Sequence, residues 1–372
     1  MISFIRRIDW VLLSALLPIM FFGLVTMRSF TGADHFFNKQ VIWIIISLVV
    51  FFVVSLLDVR FLKRTGVLAA LFFVAAGLLA LVAATGPAIR GASSWFSFGG
   101  FSFQPSDPAK IVLILMLAKY FSRRHVEIAH VKHILVSGLY ALTLFLLILL
   151  QPDFGSAVII FFIWLSVVIV AGVSKKHLFA IFAAGALSFV LAWSFAFAPY
   201  QKDRIITFLN PLTDIRGAGW NAYQSTVAVG SGELFGKGVG YGTQSRLQFL
   251  PEYETDFIFA AFAEEWGFVG VLILLFLYGV VVWRILQTAI LGASNFEMLY
   301  GVGVALFLMG HIVVNVGMNM GLLPVTGIPL PFMSYGGSHL LTELLALGIL
   351  MSMRRDMRAA HRDQMKNEFV GI

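Results

Sequence analysis

The chain has 372 residues, 59% of them hydrophobic and only 12% charged, with a formal net charge of +7. A soluble domain of that length needs about a quarter of its residues charged to keep its surface wet, so the apolar excess has to face lipid. The absence of cysteine excludes disulfides and thiolate metal sites within the chain. The basic residues fall in short clusters between apolar runs and form no continuous stripe for a phosphate backbone, so no nucleic-acid partner is expected.

A membrane-spanning helix needs about twenty predominantly apolar residues. On that criterion helices are expected near 9–29, 39–57, 65–85, 107–122, 132–150, 154–172, 176–198, 257–287, 297–320 and 336–353. Arg6 and Arg7 ahead of the apolar run Trp10–Met27 resemble the start of a signal peptide. The run is nevertheless long enough to span and no small-x-small cleavage site follows it, so it reads as a retained first helix. The fourth segment is short and opens at Pro108, a residue suited to a first helical turn. The class is therefore an all-α integral membrane protein of about ten transmembrane helices, with residues 1–372 as a single polytopic domain.

The connections alternate in charge. Sixteen of the 26 basic residues, among them Arg6, Arg7, Arg60, Arg64, Arg123, Lys175 and Arg354, fall on one side of the bilayer. The short loops of the other side carry only Arg28, Lys39 and Arg90. The positive-inside rule then puts both termini, including the tail 354–372, in the cytoplasm, which requires an even number of spans.

The opposite side holds the unusual segments. Trp95-Phe-Ser-Phe-Gly-Gly-Phe-Ser-Phe103 predicts a tight hairpin about Gly99-Gly100 at the membrane interface. Residues 199–256 form one long loop, rich in Gly, Tyr and Phe, and expected to be ordered. Residues 321–335 are apolar but contain three prolines; they cannot form a regular helix and read as a re-entrant loop whose backbone must be shielded by protein or face a wet cavity.

Ionisable residues among these spans are candidate functional groups. In Gln104-Pro-Ser-Asp-Pro-Ala-Lys110, Asp107 and Lys110 share one helical face, as a mutually satisfied ion pair or as a polar site near the membrane surface. In Gln151-Pro-Asp-Phe-Gly155, Asp153 is placed to cap the helix that follows, which does not prevent it from meeting substrate. Glu252, Glu254 and Asp256 cluster where the long loop re-enters the membrane, and Glu264 returns to a face similar to that of Asp256 eight residues on, with Glu265 beside it. Such acids suit base catalysis or a hard metal, whereas helix-dipole compensation would need fewer. His311 with Asn315, and His339 with Glu343, are spaced i,i+4 and read as interhelical hydrogen-bonding pairs rather than a zinc site. The glycine-rich Gly230–Gly240 stretch lacks the Ser or Thr that follows Gly-Lys in a P-loop, and reads as a turn that brings Lys237 to an anionic group, with Arg204 and Arg246 in the same loop.

Seven stretches carry a resemblance. They are Arg90-Gly-Ala-Ser-Ser-Trp95, Gln104–Lys110, Gln151–Gly155, Tyr200-Gln-Lys-Asp-Arg204, Gly232-Glu-Leu-Phe-Gly-Lys-Gly238, Phe249-Leu-Pro-Glu-Tyr-Glu-Thr-Asp-Phe-Ile-Phe-Ala260 and Gly321–Ser338. In this order they resemble the SEDS family of shape, elongation, division and sporulation proteins, the group of RodA, FtsW and SpoVE. The short termini and the Leu-Pro-Val-Thr-Gly-Ile-Pro wording are more similar to the RodA branch.

The resemblance implies a fold related to C-type glycosyltransferases and polymerisation of lipid II into peptidoglycan glycan strands at the outer face of the bacterial cytoplasmic membrane. It further implies a divalent cation, Mg2+ or Mn2+, and as partners a class B penicillin-binding protein and the elongation machinery, in addition to membrane lipids. The family's essential aspartate maps onto Asp256, as catalytic group or metal ligand. Lys110, supported by Arg90, Arg204 or Lys237, would steady the donor diphosphate, with Gln104, Asp107 and Asp153 completing the substrate-facing set. Asp107 stands where the family usually has Glu, and His339 where a small residue is expected. The alternatives are a transporter of the same lipid-linked precursor, a division-type polymerase, and a scaffold that only recruits an enzyme.

Overall fold

A computed structural model describes residues 8–29, 34–86, 94–98, 101–123, 131–195, 197, 199–210, 218–247, 249–250 and 252–370. All ten expected segments are helical. They are α1 (Trp10–Arg28), α2 (Asp34–Leu56), α3 (Thr65–Thr85), α4 (Ser106–Ser122), α5 (Val131–Leu149), α6 (Phe154–Val170), α7 (Lys175–Phe195), α11 (Ile258–Ile290), α12 (Asn295–Asn319) and α13 (Gly337–Val370). Between α7 and α11, the expected long loop contains three more helices, α8 (Pro199–Leu209), α9 (Ala218–Ser231) and the single turn α10 (Thr243–Arg246). Among the described residues, seven helices are long and apolar enough to cross a membrane. The other three fall short for visible reasons: α4 and α6 are 17 residues each, and α13 runs past its apolar part into the charged tail. The chain is a multi-pass membrane protein.

The expected hairpin is present, with β1 (Phe96–Phe98) and β2 (Phe101–Phe103) antiparallel and Phe96 opposite Phe103. Gly99 and Gly100 themselves lie outside the described residues.

Burial separates helices that pack from helices that face lipid. The central helix is α12, which lies against α11, α4 and α6 and buries small residues such as Gly301, Gly303 and Gly310. α13 packs along α2, and α11 along α1. At the other extreme no residue of α7 is buried, and its Phe179, Leu187 and Phe195 are exposed. A helix apolar on every side and exposed on every side needs hydrocarbon as its solvent.

Two devices tie distant parts together. At one end, Asp9 caps α1 by accepting the Leu12 N–H at 3.1 Å. The same carboxylate accepts from Arg284 of α11, with Nε at 3.0 Å from Oδ2, and from Arg354 of α13, with an Nη1 distance of 2.7 Å. Three helices thus meet on one buried acid. Burial pushes the Asp9 carboxyl up, but the Arg284 hydrogen bonds, the Leu12 N–H and the two arginine charges outweigh it and hold the pKa below the ordinary carboxylate value.

The second device is a break in α11. At 33 residues this helix would be about 50 Å long, beyond the roughly 30 Å hydrocarbon core. Its backbone leaves helical geometry at Gly267 (φ 65°, ψ −170°). The chain entering from α9 fills the gap. The N–H groups of Lys237 and Gly238 donate to the carbonyls of Glu264 and Glu265, and those of Phe268 and Val269 donate to the carbonyls of Glu233 and Leu234. The two backbones approach so closely that a Cβ on Gly267 would sit 2.2 Å from the Gly236 nitrogen, and one on Gly236 would sit 2.1 Å from the Glu265 oxygen. The glycine-rich stretch is therefore a backbone splice, and Gly232, Gly236 and Gly267 are its close-contact points.

Gly267→Ala should lower stability by about 3 kcal/mol or more, since left-handed strain alone costs about 1–3 kcal/mol and the added methyl meets backbone. Thermal unfolding of the detergent-solubilised chain measures this. For Asp9, whose folded pKa is lowered, the stabilisation is complete above the unfolded value near 4 and is lost as pH falls through the lower folded value. Asp9→Asn should therefore lower the unfolding temperature at pH 7, and its curve should converge toward that of the parent chain below about pH 4.

Candidate active site

The expected re-entrant segment is irregular from Gly321 to Gly336 and becomes buried from Ile328 onward. Backbone N–H and C=O groups at that depth have no water to bond, and each left unsatisfied would cost about 1–3 kcal/mol or more. Side chains from four helices satisfy them. Asn315 Nδ2 donates to the Ile328 carbonyl at 2.7 Å, His311 Nδ1 to the Pro329 carbonyl at 3.3 Å and the Tyr278 hydroxyl to the Pro331 carbonyl. The Phe332 N–H donates to Glu343 Oε2 at 3.0 Å, and Gln40 Nε2 donates to the Ser334 carbonyl at 3.1 Å. Within the segment, the Leu330 N–H donates to Ser334 Oγ at 2.7 Å. Phe332 itself is left-handed, with φ 60°, a strained state that persists only because these neighbours over-determine it.

This segment gathers the sequence motifs. The Gly155 motif abuts it: a Cβ on Gly155 would lie 2.5 Å from the Thr326 oxygen and 2.8 Å from Ile328, so only glycine allows the contact. The loop preceding α11 is sewn to it by Ser334 Oγ, which donates to the Thr255 carbonyl at 2.7 Å, and by the Tyr335 N–H, which donates to the Glu254 carbonyl. The Gln104 N–H donates to Ser338 Oγ just beyond it.

Asp256 stands in the turn before α11, partly exposed. Its backbone carbonyl accepts from Asn315 Nδ2 and from Asn319 Nδ2, each at 3.0 Å. His311, Asn315 and Asn319 form an i, i+4, i+8 ladder on α12 that holds the re-entrant segment on one side and the Asp256 peptide on the other. Gly327 (φ 72°) packs beside the carboxylate; a Cβ there would stand in ordinary contact with Asp256 Oδ2, at 3.4 Å. Among the described residues no group of three or more His, Asp or Glu is arranged to hold a metal ion. A single carboxylate such as Asp256 would suit only a hard cation that completes its shell with water and substrate oxygens, as Mg2+ does.

Beneath lies a closed charge network. Lys110 Nζ is 3.1 Å from Asp107 Oδ1, both side chains almost fully buried. His339 is flanked by Asp107 through Nδ1 at 3.3 Å and by Glu343 through Nε2 at 2.9 Å, and its ring lies 4.7 Å from that of His311. A carboxylate stands within ion-pair distance of each ring nitrogen, which suits a protonated imidazole, although only Nδ1 meets its carboxylate in hydrogen-bond geometry. In that state two acids face two cations, and the network is neutral. His339 lies directly against the Asp107 carboxylate and would be that second cation.

The remaining sequence candidates separate. Asp153 caps α6 through the Ser156 N–H at 3.0 Å and also accepts from Gln104 Nε2 at 2.8 Å, which joins two motifs. Lys237 meets its anionic group, but that group is Glu264, at 2.7 Å. Glu264 also accepts from the Thr243 and Gln244 N–H groups. The acids therefore divide. Glu264 and Glu265 are buried against the loop, whereas Glu252, Glu254 and Asp256 lie in a turn that precedes the helix, so the helical spacing that related Asp256 to Glu264 does not apply. Arg204 lies in α8, but its side chain, like that of Arg246, is outside the described residues, as is the whole of Arg90. Sequence reasoning missed Gln40, Tyr278, Asn319 and Ser334. The signal for Asn319 was its place one turn beyond Asn315. Between α8, α9 and the start of the re-entrant segment lies a cavity of about 250 Å³ lined by Phe208, Tyr223, Leu323 and Val325 among others.

This arrangement defines a polytopic membrane protein with a polar centre built around a re-entrant segment, with one acid at its mouth. The chain belongs to the FtsW/RodA/SpoVE family of cell cycle proteins, whose pattern it matches over residues 5–359. It is 36% identical over 351 residues to peptidoglycan glycosyltransferase MrdB of Escherichia coli K12, covering 93% of each chain. It superposes on the rod shape-determining protein RodA of Thermus thermophilus with a TM-score of 0.71 at 32% identity, covering 94% of this chain and 97% of that one. A chain in a structure described as the coordination of polymerization and crosslinking by a peptidoglycan synthase complex gives a TM-score of 0.81 at 33% identity, covering 94% of this chain and 98% of that one.

His339→Ala should destabilise the chain by about 3–5 kcal/mol, because it leaves Glu343 and part of the Asp107 charge buried without a counter-ion. His339→Gln, which restores hydrogen bonds but no charge, should recover only part of that loss in thermal unfolding.

Proposed function

We propose that this chain joins lipid II units into peptidoglycan strands at the outer face of the bacterial cytoplasmic membrane, as an elongation-type polymerase. The observation that carries the reading is the Asp256 carboxylate, partly exposed, on a peptide clamped by Asn315 and Asn319. In glycosyl transfer a hydroxyl of the acceptor sugar attacks the anomeric carbon of the donor. The bond from that carbon to the prenyl diphosphate breaks, and the hydroxyl proton passes to a base. Asp256 is that base, and its fixed backbone orients the carboxylate before substrate arrives. The same carboxylate would hold a divalent cation, which when bound supplies positive charge to the departing diphosphate.

Lys110 acts here as the counter-ion that positions α4, since its ammonium is spent on Asp107. The diphosphate contacts fall to Arg90 and Arg204. Gln104 and Asp153, hydrogen-bonded to each other, brace the rim where α4 and α6 begin. The apolar cavity between α8 and α9 suits a stretch of prenyl chain. The basic clusters orient Asp9 and both termini toward the cytoplasm. A class B penicillin-binding protein, together with the elongation machinery, is the partner this reading supplies, supported by the likeness to a chain of a synthase complex.

The break in α11 is the one feature that favours a transporter, in which discontinuous helices meet at a mid-membrane site. Here the broken ends bond to residues 233–238 of the same chain, which takes up the backbone groups that a transporter would turn toward its substrate and favours the enzyme.

Purified chain supplied with lipid II and Mg2+ should form glycan strands resolved on a gel. Asp256→Asn should reduce the rate by about 10²–10⁴-fold, the contribution of a positioned general base, in a variant that still unfolds in one cooperative transition. Undiminished polymer from that variant would remove Asp256 from the chemistry, and labelled lipid II crossing vesicles without polymer would support the transporter.

A further inference from the structure

The loop that splices α11 carries an apolar surface of its own. Phe235, Tyr241 and Leu234 are 81%, 70% and 61% exposed, and Val239 is exposed as well. We infer that this loop, residues 234–241, is seated among the lipid acyl chains of the leaflet nearer Asp256 and anchors the splice there.

Depth is the first argument. At the far end of α11, Arg284 stands beside the exposed Trp283, and no charged residue lies between Gly267 and Arg284. An exposed tryptophan next to an arginine marks the headgroup level of a bilayer. From Gly267 to Arg284 is 17 residues, about 26 Å of helix against a hydrocarbon core of about 30 Å. Gly267 therefore falls inside the edge of that core, and any tilt of α11 takes it deeper. The loop is bonded to α11 at this level, since the N–H groups of Phe268 and Val269 donate to the carbonyls of Glu233 and Leu234.

Continuity is the second. Phe268, Leu272 and Phe276 are exposed and spaced by four, so they form one apolar stripe down the outside of α11. Leu234 and Phe235 extend that stripe past the break. The third argument is the backbone, whose polar groups must find partners within the protein when lipid is the solvent. The N–H groups of Gly236, Lys237, Gly238 and Tyr241 donate to the carbonyls of Gly232, Glu264, Glu265 and Gly238, and that of Gly240 to the Glu265 carboxylate at 3.0 Å. The one charge in the loop, Lys237, is paired with Glu264, and the exposed Glu233 bounds the seated stretch. A loop facing water needs neither this internal bonding nor exposed aromatics in a row. Seated in lipid, it fixes the depth of the first turns of α11 and of the Asp256 turn before them.

The chain has no native cysteine, so one introduced thiol reports one position. The full chain carrying Phe235→Cys, spin-labelled and reconstituted in phosphatidylcholine nanodiscs, is read by its collisions with dissolved oxygen, which concentrates in lipid, and with a water-soluble nickel chelate. The references are Phe276→Cys, exposed midway along the lipid-facing stripe, and Arg123→Cys, exposed at the end of α4. The label at 235 should favour oxygen as that at 276 does, at a depth of about 5–10 Å below the headgroups. Phe235 is so exposed that its replacement removes little packing; should the variant still fail to fold, Leu234→Cys should report the same depth. A label at 235 or 234 as open to the nickel chelate as that at 123 would overturn the assignment. Protection that appears only when a class B penicillin-binding protein is added would overturn it in favour of a protein contact.

Discussion

The hydrogen-bond requirement of a bare backbone at membrane depth organises this protein. A helix satisfies that requirement internally, whereas residues 321–336, with three prolines, cannot. Their carbonyls and N–H groups must be met by side chains, and those side chains must sit on helices that hold still. Most of the unusual polar residues within the spans follow from this need: His311 and Asn315 on α12, Tyr278 on α11, Glu343 on α13 and Gln40 on α2. Buried polar groups with partners of this kind specify one arrangement more than they add stability, since an alternative packing would leave several of them unsatisfied together.

The candidate chemistry grows from the same scaffold. Asn315 bonds both the re-entrant segment and the Asp256 peptide, so the residue that makes irregular backbone tolerable also places the acid. The Asp107–Lys110–His339–Glu343 network sets α4 against α13 and so fixes where the Gln104 rim meets Ser338. Positioning and solvation are here the work of the same side chains, and a substitution meant to probe one will disturb the other.

Much of this was legible in the sequence because membrane physics leaves large signatures. Ten apolar runs became ten helices, the Gly-Gly between alternating aromatics became a hairpin, and three prolines in an apolar stretch became the re-entrant segment. Of the i,i+4 pairs on the last spans, His339 does bond across to Asp107 of α4, whereas His311 and Asn315 bond the re-entrant backbone and the Asp256 peptide and no neighbouring helix. The glycine-rich stretch was harder to read. Its Lys237 was expected at an anion, and the anion is Glu264 of the same chain, but that a loop would complete a broken helix depends on the left-handed Gly267, which composition does not reveal. The acids near Asp256 looked like one cluster because helical spacing was carried back across residues that form a turn. Gln40 was invisible for a different reason: a single amide in an apolar run gives no hint of a partner almost 300 positions away.

The splice at Gly267 bears on how the protein is made. Residues 233–238 leave the ribosome before the helix they complete, and only about thirty positions separate donors from acceptors. Closing so short a loop is fast and costs little entropy. The backbone that will seal the opening turns of α11 is thus already at hand when that span emerges, and its exposed amides need not wait for the last two helices to arrive.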